Sequence, residues 1–465
     1  MERPEPHRHP EQAALVVSTS VERREDRRAA GVATRKRVPP SALASWRVAA
    51  DRPDPVDLIL EQAATRIPEL VPVRHGRMSA SPFAFFRGGA LPMATDLARL
   101  PLSGITVQVC GDAHLVNFGL FASPERDLLF DIDDFDETLA GAWEWDVMRL
   151  SASLVVAARS RSFTVHQARH AVLEAVRTYR ERMAEYASMR AIDVYYARVD
   201  ASAILEFADK RARRYLQSTI RAAAHHDALH ELPKITTLTD GGRRISDHPP
   251  IITHPNAMDQ ENVASGLASY RDSLQGDRRV LLDRYRVVDA ALKVVGVGSV
   301  GLGAFVVLLE GGSDADPLFL QSKEAEASVF ERYMGASPFA THGERVVAGQ
   351  RLLQAASDVL LGWGLGPLGR HLYMRQLQDQ KGSAVVEAMI HEDLVAWGRL
   401  CAWALARGHA RSGDPAMLAG YLGDDDVVDH AMADFAARYA DQTERDHSAF
   451  LAAIAQGRVA AETGV

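Results

Sequence analysis

The chain has 465 residues, 47% of them apolar and 25% charged, with a formal net charge of −8. That length allows two or three domains around a large core, and the acid excess excludes a general nucleic-acid binder, which grips phosphates with surplus Lys and Arg. No run of about 18 apolar residues could span a bilayer, MERPEPHRHPEQ is no secretion signal, and Cys110 and Cys401 lack metal-ligand or disulfide-framework spacing, so a cytoplasmic protein with two small buried thiols is expected.

Residues 1–40 are rich in Arg, Glu, Pro and His without a sustained apolar period, which predicts a disordered tail. A helical catalytic lobe is expected over 41–288. In it, residues 55–70 (PVDLILEQAATRIPEL) carry apolar positions at helical spacing, and Ser81–Leu100 opens on a Ser-Pro helix start. GITVQV (104–109) reads as a short β-branched strand ended by Gly111-Asp112, and Leu128–Ile132 as the next strand. Helix formers dominate from Trp145 to Arg286, broken by a Pro-, Gly-, Asp- and His-rich loop at 233–257.

A β-rich nucleotide lobe is expected over 289–385. Its first part, 290–325, reads as three consecutive antiparallel strands around a glycine loop, followed by helices at 326–335 and 344–362 and a strand at His371–Leu377. Residues 386–465 return to helix, with Trp397, Leu400 and Trp403 on one face, packing on the catalytic lobe. The class is α+β, without an internal repeat.

Two stretches carry the chemistry: CGDAHLVNFG (110–119) and LLFDIDDFDE (128–137). Four aspartates and a glutamate at the end of an apolar run repel one another and are costly to desolvate, so they call for a cation, a positive partner or open water. Phosphoryl transfer of the kinase type needs an Asp for the acceptor hydroxyl, an Asn further along that loop for metal, and a second Asp one strand later. Asp112 and Asn117 have that spacing, and Asp134 is the preferred second metal Asp, with Asp133 and Asp136 as alternates. A solvated acidic turn is the bland alternative. His114 is a catalytic candidate on the same loop, against the plainer role of a histidine bonded to backbone.

Gly296, Gly298 and Gly301 form a GxGxxG. A dinucleotide-binding loop of that pattern opens a helix, whereas here LGAFVVLL continues as a β-rich run, which favours a hairpin bent over phosphates. Lys323, in LFLQSKEA on the third strand, stands where a kinase phosphate lysine belongs, with Glu326 or Glu331 as its ion-pair partner. The rival is an edge-strand lysine beside structural glycine turns. Arg74, Arg77 and Arg87 flank Phe83, Phe85 and Phe86 and suit either an acidic substrate or structural support of the acidic cluster. Arg375, Gln376, Asp379 and Lys381 read as a solvated turn or a hinge, and His409 and Asp414 as a helix end.

GDAHLVN, FDIDDFD and GAWEWD together resemble the aminoglycoside-phosphotransferase and choline-kinase branch of the protein-kinase-like superfamily. The resemblance implies that Asp146 of WEWDVMRL braces the catalytic loop. RHGRMSASPFAFFRGGA, CGDAHLVNFG, VVGVGSVGLG, LQSKEA and YMRQLQDQKGS are similar to the uncharacterised bacterial family named domain of unknown function 2252, whose name brings no substrate. In ordinary kinases the glycine loop and lysine precede the catalytic loop. Here they follow it, which implies a circularly permuted kinase-like fold.

The expected function is ATP- and Mg²⁺-dependent phosphoryl transfer to a small-molecule hydroxyl or amine, with no nucleic acid or membrane as partner. Three rivals stand beside it: AMP transfer by the same parts, a non-catalytic ATP sensor, and a metal-dependent hydrolase built on the acidic cluster alone. The distance in space between Lys323 and Asp134 separates the last of these from the rest.

Overall fold

The computed structural model describes residues 22–207, 210–224, 232, 234–239, 242–254, 257–294, 296–313, 316–366, 369–377 and 381–464. It is a mixed α+β protein with small antiparallel sheets. Thr106–Val109 (β1) pairs antiparallel with Leu139–Ala142 (β4), and Phe118–Ala122 (β2) with Leu128–Ile132 (β3). Their side chains feed a core centred on the helix Trp143–Ser160, which is buried on every face over most of its length. Small Ser and Ala side chains along it let the helices Val165–Ser188, His391–Ser412 and Val427–Ala455 pack close.

Six further strands form a larger, separate sheet, in the order β11-β12-β10-β9-β8-β7. These are Ile252–Thr253 (β7), Arg286–Lys293 (β8), Ala304–Glu310 (β9), Pro317–Glu324 (β10), Gly362–Leu365 (β11) and His371–Gln376 (β12), all antiparallel. The two-residue period of a strand divides its apolar side chains between two faces. Val307, Leu309, Leu320 and Met374 pack with Tyr270 of the helix Ala257–Ser273, whereas Val306, Leu308 and Phe319 pack with Ile245 and Ile252. Thr236–Thr239 (β5) and Gly242–Ile245 (β6) form a hairpin inside the stretch expected as a loop at 233–257.

The sheet thus begins at Ile252, ahead of the boundary expected at 289. The helices expected at 326–335 and 344–362 are shorter, Glu331–Met334 and His342–Leu353. The stretch at Ser81–Leu100 divides into Pro82–Gly88, capped by the Ser81 hydroxyl accepting from Ala84 N at 3.1 Å, and Ala90–Leu97.

A clear correction concerns the N-terminal tail, whose residues 1–21 lie outside the described residues. Arg24–Arg37 is not disordered but forms a helix. It is held by docking rather than by an apolar stripe. A Cβ on Gly31 would stand 2.0 Å from Met417 O, and one on Gly420 2.1 Å from Arg28 O, so two glycines let this helix and Pro415–Leu422 meet backbone to backbone. Arg27, Arg28 and Arg35 then pair with Asp414, Asp424 and Asp425. Among the described residues no helix is long and apolar enough to cross a membrane.

Candidate functional site

The loop after β1 is shaped by Asp146 at the start of the buried helix. Its two carboxylate oxygens accept from Cys110 N at 2.8 Å and Gly111 N at 2.9 Å. Gly111 has φ +88°, and a Cβ there would lie 2.4 Å from Glu137 O, so the loop crosses the acidic segment at a point that only glycine fits. His409 lies at the helix end read from the sequence, in the last turn of His391–Ser412, and is fully buried, with Nε2 3.2 Å from Asp146 Oδ2 and Nδ1 2.8 Å from the Tyr179 hydroxyl.

Asp112 follows, with its Oδ1 held by Arg149 Nε at 2.8 Å and Nη2 at 2.7 Å. Arg149 also donates to Phe86 O at 2.7 Å and sits over the Phe86 ring, 3.9 Å from its centroid. His114 is buried, with Nε2 3.8 Å from Asp112 Oδ2 and Nδ1 without a hydrogen-bond partner among the described residues. Burial drives its pKa down to about 4, helped by Arg87 and Arg149 and opposed by Asp112, so the ring is neutral at pH 7. Asn117 Nδ2 donates to Asp112 O at 2.8 Å, which leaves Oδ1 unused by any described residue.

The acidic run separates into distinct pairings. Asp131, at the end of β3, is wholly buried against Arg407 at 2.7 Å. Asp133 pairs with Lys381 at 2.9 Å and lies 3.9 Å from Arg375, so two residues of the supposed solvated turn serve the site; Asp379 lies outside the described residues. Asp134 Oδ2 stands 3.6 Å from Lys323 Nζ. Burial pushes its carboxyl up, but Lys323, the Asp136 N–H and Arg375 outweigh burial and hold it at about 2. Asp136 receives Lys323 at 3.2 Å, the Tyr373 hydroxyl at 2.5 Å and the Ser299 hydroxyl at 3.3 Å. Glu137 accepts from Val329 N at 2.7 Å, and its burial raises the carboxyl to about 7 against the pull of that N–H and Arg345.

Lys323 therefore stands with Asp136 and Asp134, and the expected pairing with Glu326 or Glu331 is not what the protein adopts. Glu331 lies 3.6 Å from Arg345 Nε, and the Glu326 carbonyl accepts from Arg345 Nη2 at 2.8 Å. The physical reason lies in Arg345, which also donates to Asp136 O at 2.8 Å and Thr138 O at 2.6 Å. It straps the acidic loop against the segment after β10, which brings carboxylates of that loop to the lysine. In register, Lys323 is opposite Ala304 on one side and Tyr373 on the other, so Tyr373 reaches the same carboxylate from the neighbouring strand.

The glycine loop joins β8 to β9. Gly296 and Gly301 have φ +63° and +88°, which favour glycine, while Gly298 does not have a positive φ. Arg77 donates to Gly296 O at 2.6 Å, Arg66 to Val300 O at 2.5 Å, and Gly301 O accepts from Ile67 N at 2.8 Å.

Two cavities meet at this loop. One, of about 710 Å³, is lined by Asp112, His114, Arg66, Arg74, Arg87 and Glu326 among others. The second, of about 520 Å³, is lined by Phe121, Val359, Leu377, Lys293, Lys323 and Arg375 among others. Asn117, Asp134, Gly296 and Ser299 line both. Among the described residues no three His, Cys, Asp or Glu side chains gather as a metal site of their own.

Arg149, Arg345, Tyr373 and Ser299 escaped the sequence reading. Only Arg149, one helical turn beyond Asp146 on the same buried helix, left a signal: a cation inside an otherwise apolar stretch.

These elements define a mixed α+β protein in which the acidic loop meets Lys323 of β10. The family model described as an uncharacterized protein conserved in bacteria (DUF2252) matches residues 66–453, so the chain belongs to that family. No curated protein and no solved structure matches it.

Proposed function

We propose that the protein is an ATP-dependent phosphotransferase with a permuted kinase-like arrangement, acting on a small-molecule hydroxyl or amine. The single observation that carries this reading is the convergence of Lys323, Asp134 and the glycine loop on one cleft: Lys323 Nζ is 3.6 Å from Asp134, and Ser299 of the loop bonds Asp136. The same closeness disfavours a hydrolase built on the acidic cluster alone.

The 520 Å³ cavity suits the nucleotide, since Phe121, Val359 and Leu377 offer apolar surface for a base and Lys323 and Lys293 offer charge for phosphates. Asp112, in the larger cavity, suits the acceptor. Arg149 occupies its Oδ1, which leaves Oδ2 to accept the hydrogen of the attacking hydroxyl. The acceptor oxygen bonds to the γ-phosphorus as the bond from that phosphorus to the ADP oxygen breaks, and the hydroxyl proton passes to Asp112. Neutral His114 adds no charge beside it. Lys323 balances the phosphate charge from a position already fixed by Asp136 and Tyr373.

The donor set fits Mg²⁺, which keeps several waters and needs only one or two protein oxygens beside the substrate's phosphates. Asp134, ionised at neutral pH, and the unused Asn117 Oδ1 would hold it, and the ion would neutralise charge on the phosphates.

The test is Asp134→Asn. ATP·Mg²⁺ binding and turnover should be lost while the circular dichroism spectrum is kept, and unchanged turnover would refute the assignment. Mass spectrometry of products separates a gain of phosphate from a gain of AMP.

A further inference from the structure

Three guanidiniums that the mechanism above leaves unused line the 710 Å³ cavity: Arg66, Arg74 and Arg87. None of them lines the 520 Å³ cavity. Arg74 is 1% exposed and Arg66 8%. Arg66 gives its hydrogens to the backbone, Nη1 to Val300 O at 2.5 Å and Nε to Gln62 O at 3.3 Å. Arg74 reaches Gly88 O at 2.9 Å and Gln62 Oε1 at 3.4 Å through Nη2, while its Nε and Nη1 are buried without a partner among the described residues. Arg87 Nε is likewise buried without a partner among the described residues.

Among the described residues no carboxylate stands within ion-pair distance of any of the three. Most acids around the cavity are engaged elsewhere: Glu61 with Arg332, Glu324 with Arg370, Glu331 with Arg345, Asp112 with Arg149, Asp134 and Asp136 with Lys323, and Glu137 as acceptor from Val329 N. Glu326 acts on Arg66 and Arg74 only from beyond that distance. Burial, joined by repulsion from Arg66, drives the Arg74 pKa well below its usual value, and burial lowers those of Arg66 and Arg87 although Glu326, Glu137 and Asp112 pull the other way. Removing one partner from a buried ion pair is strongly destabilising, so three such cations lining one cavity call for an anion that the chain itself does not provide. Planar N–H donors select an oxyanion, which they bind through paired hydrogen bonds.

We propose that the cavity is an oxyanion subsite: the acceptor carries a phosphate or carboxylate group held by Arg74, Arg66 and Arg87, with its reactive hydroxyl or amine toward Asp112. The word acceptor rests on the phosphotransferase reading; the anion site stands on the arginines. The polyphosphate of a nucleotide in the other cavity already has Lys323, Lys293 and Arg375 beside it.

The test titrates the full chain calorimetrically, at constant ionic strength, with inorganic phosphate, with malonate and separately with ATP·Mg²⁺. Phosphate or malonate should bind the wild type, and the stronger of the two identifies the group. Arg87→Met, which removes a side chain that bonds no described residue, and Arg74→Gln should each weaken that binding by about tenfold and leave ATP·Mg²⁺ affinity unchanged. Circular dichroism checks the fold, and Arg87→Met carries the test should Arg74→Gln unfold.

Anion binding that ignores both substitutions, or no anion binding, overturns the subsite. A parallel fall in ATP·Mg²⁺ affinity gives the arginines to the donor and overturns the acceptor assignment. A wild type that binds phosphate through these arginines but does not bind ATP upholds the anion site and refutes the phosphotransferase reading instead.

Discussion

Lys323 Nζ stands 3.2 Å from Asp136 Oδ2, although 187 residues separate them along the chain. The contact ties an inner strand of the six-stranded sheet, β10, to the acidic loop after β3. The Tyr373 hydroxyl completes it from the next strand. Buried ammonium and carboxylate groups are each costly alone, so the two segments stabilise one another in place.

Lys323→Met should therefore lower ATP turnover by about a hundredfold, the usual effect of removing one preorganised charge from a transition state. Asp136 keeps Tyr373 and Ser299, so the variant should still fold. Steady-state ATP turnover and circular dichroism check the two halves, and turnover near the wild-type rate would count against the assignment.

The Asp131–Arg407 pair is fully buried on both sides. Arg407→Met leaves the Asp131 charge without its counterion and should cost about 3–5 kcal/mol in a denaturant titration. Asp131→Leu combined with Arg407→Met should recover much of that loss, because no charge then remains uncompensated.

Glu137 gives a pH signature. Its carboxyl is raised from 4.5 to about 7, chiefly by burial, so the folded state holds a proton that the unfolded chain releases. The stability this contributes is complete below the unfolded pKa and is lost as pH rises from 4.5 through about 7. Glu137→Gln should flatten the decline in unfolding free energy across that window. An identical pH profile in the variant would contradict the assignment.

The glycine loop should answer unequally to substitution. Gly301→Ala meets a φ of +88° and an Arg66 Cβ at 3.0 Å, and should cost about 1–2 kcal/mol. Gly298→Ala meets only Arg87 O at 3.6 Å, an ordinary contact, and should leave the melting temperature unchanged. Calorimetry of the two variants separates the glycine that shapes the loop from the one that merely fits it.

Much of this architecture is written locally. The run Leu128–Ile132 is β3 to the residue, because apolar and β-branched side chains bounded by polar turns leave a short strand few alternatives. The three strands around the glycine loop follow the same logic. The helix Arg24–Arg37 shows where local reading fails: its stability comes from a glycine-to-glycine approach and ion pairs with residues almost four hundred positions away, which no apolar period announces.

The sequence by itself determined most of the strands and long helices and where the candidate residues fall on them: Asp112, Asn117 and Asp134 on two neighbouring loops, and Lys323 on its strand. Those follow from side-chain type and short-range periodicity, which act within a few residues. Tertiary structure alone decided the partners. Lys323 chose Asp136 over Glu326, Arg149 claimed one oxygen of Asp112, and His409 became the buried support of Asp146. Ion pairing falls off steeply with distance and depends on burial, so it is settled only when Arg345 and the packed helices bring distant segments within a few ångströms.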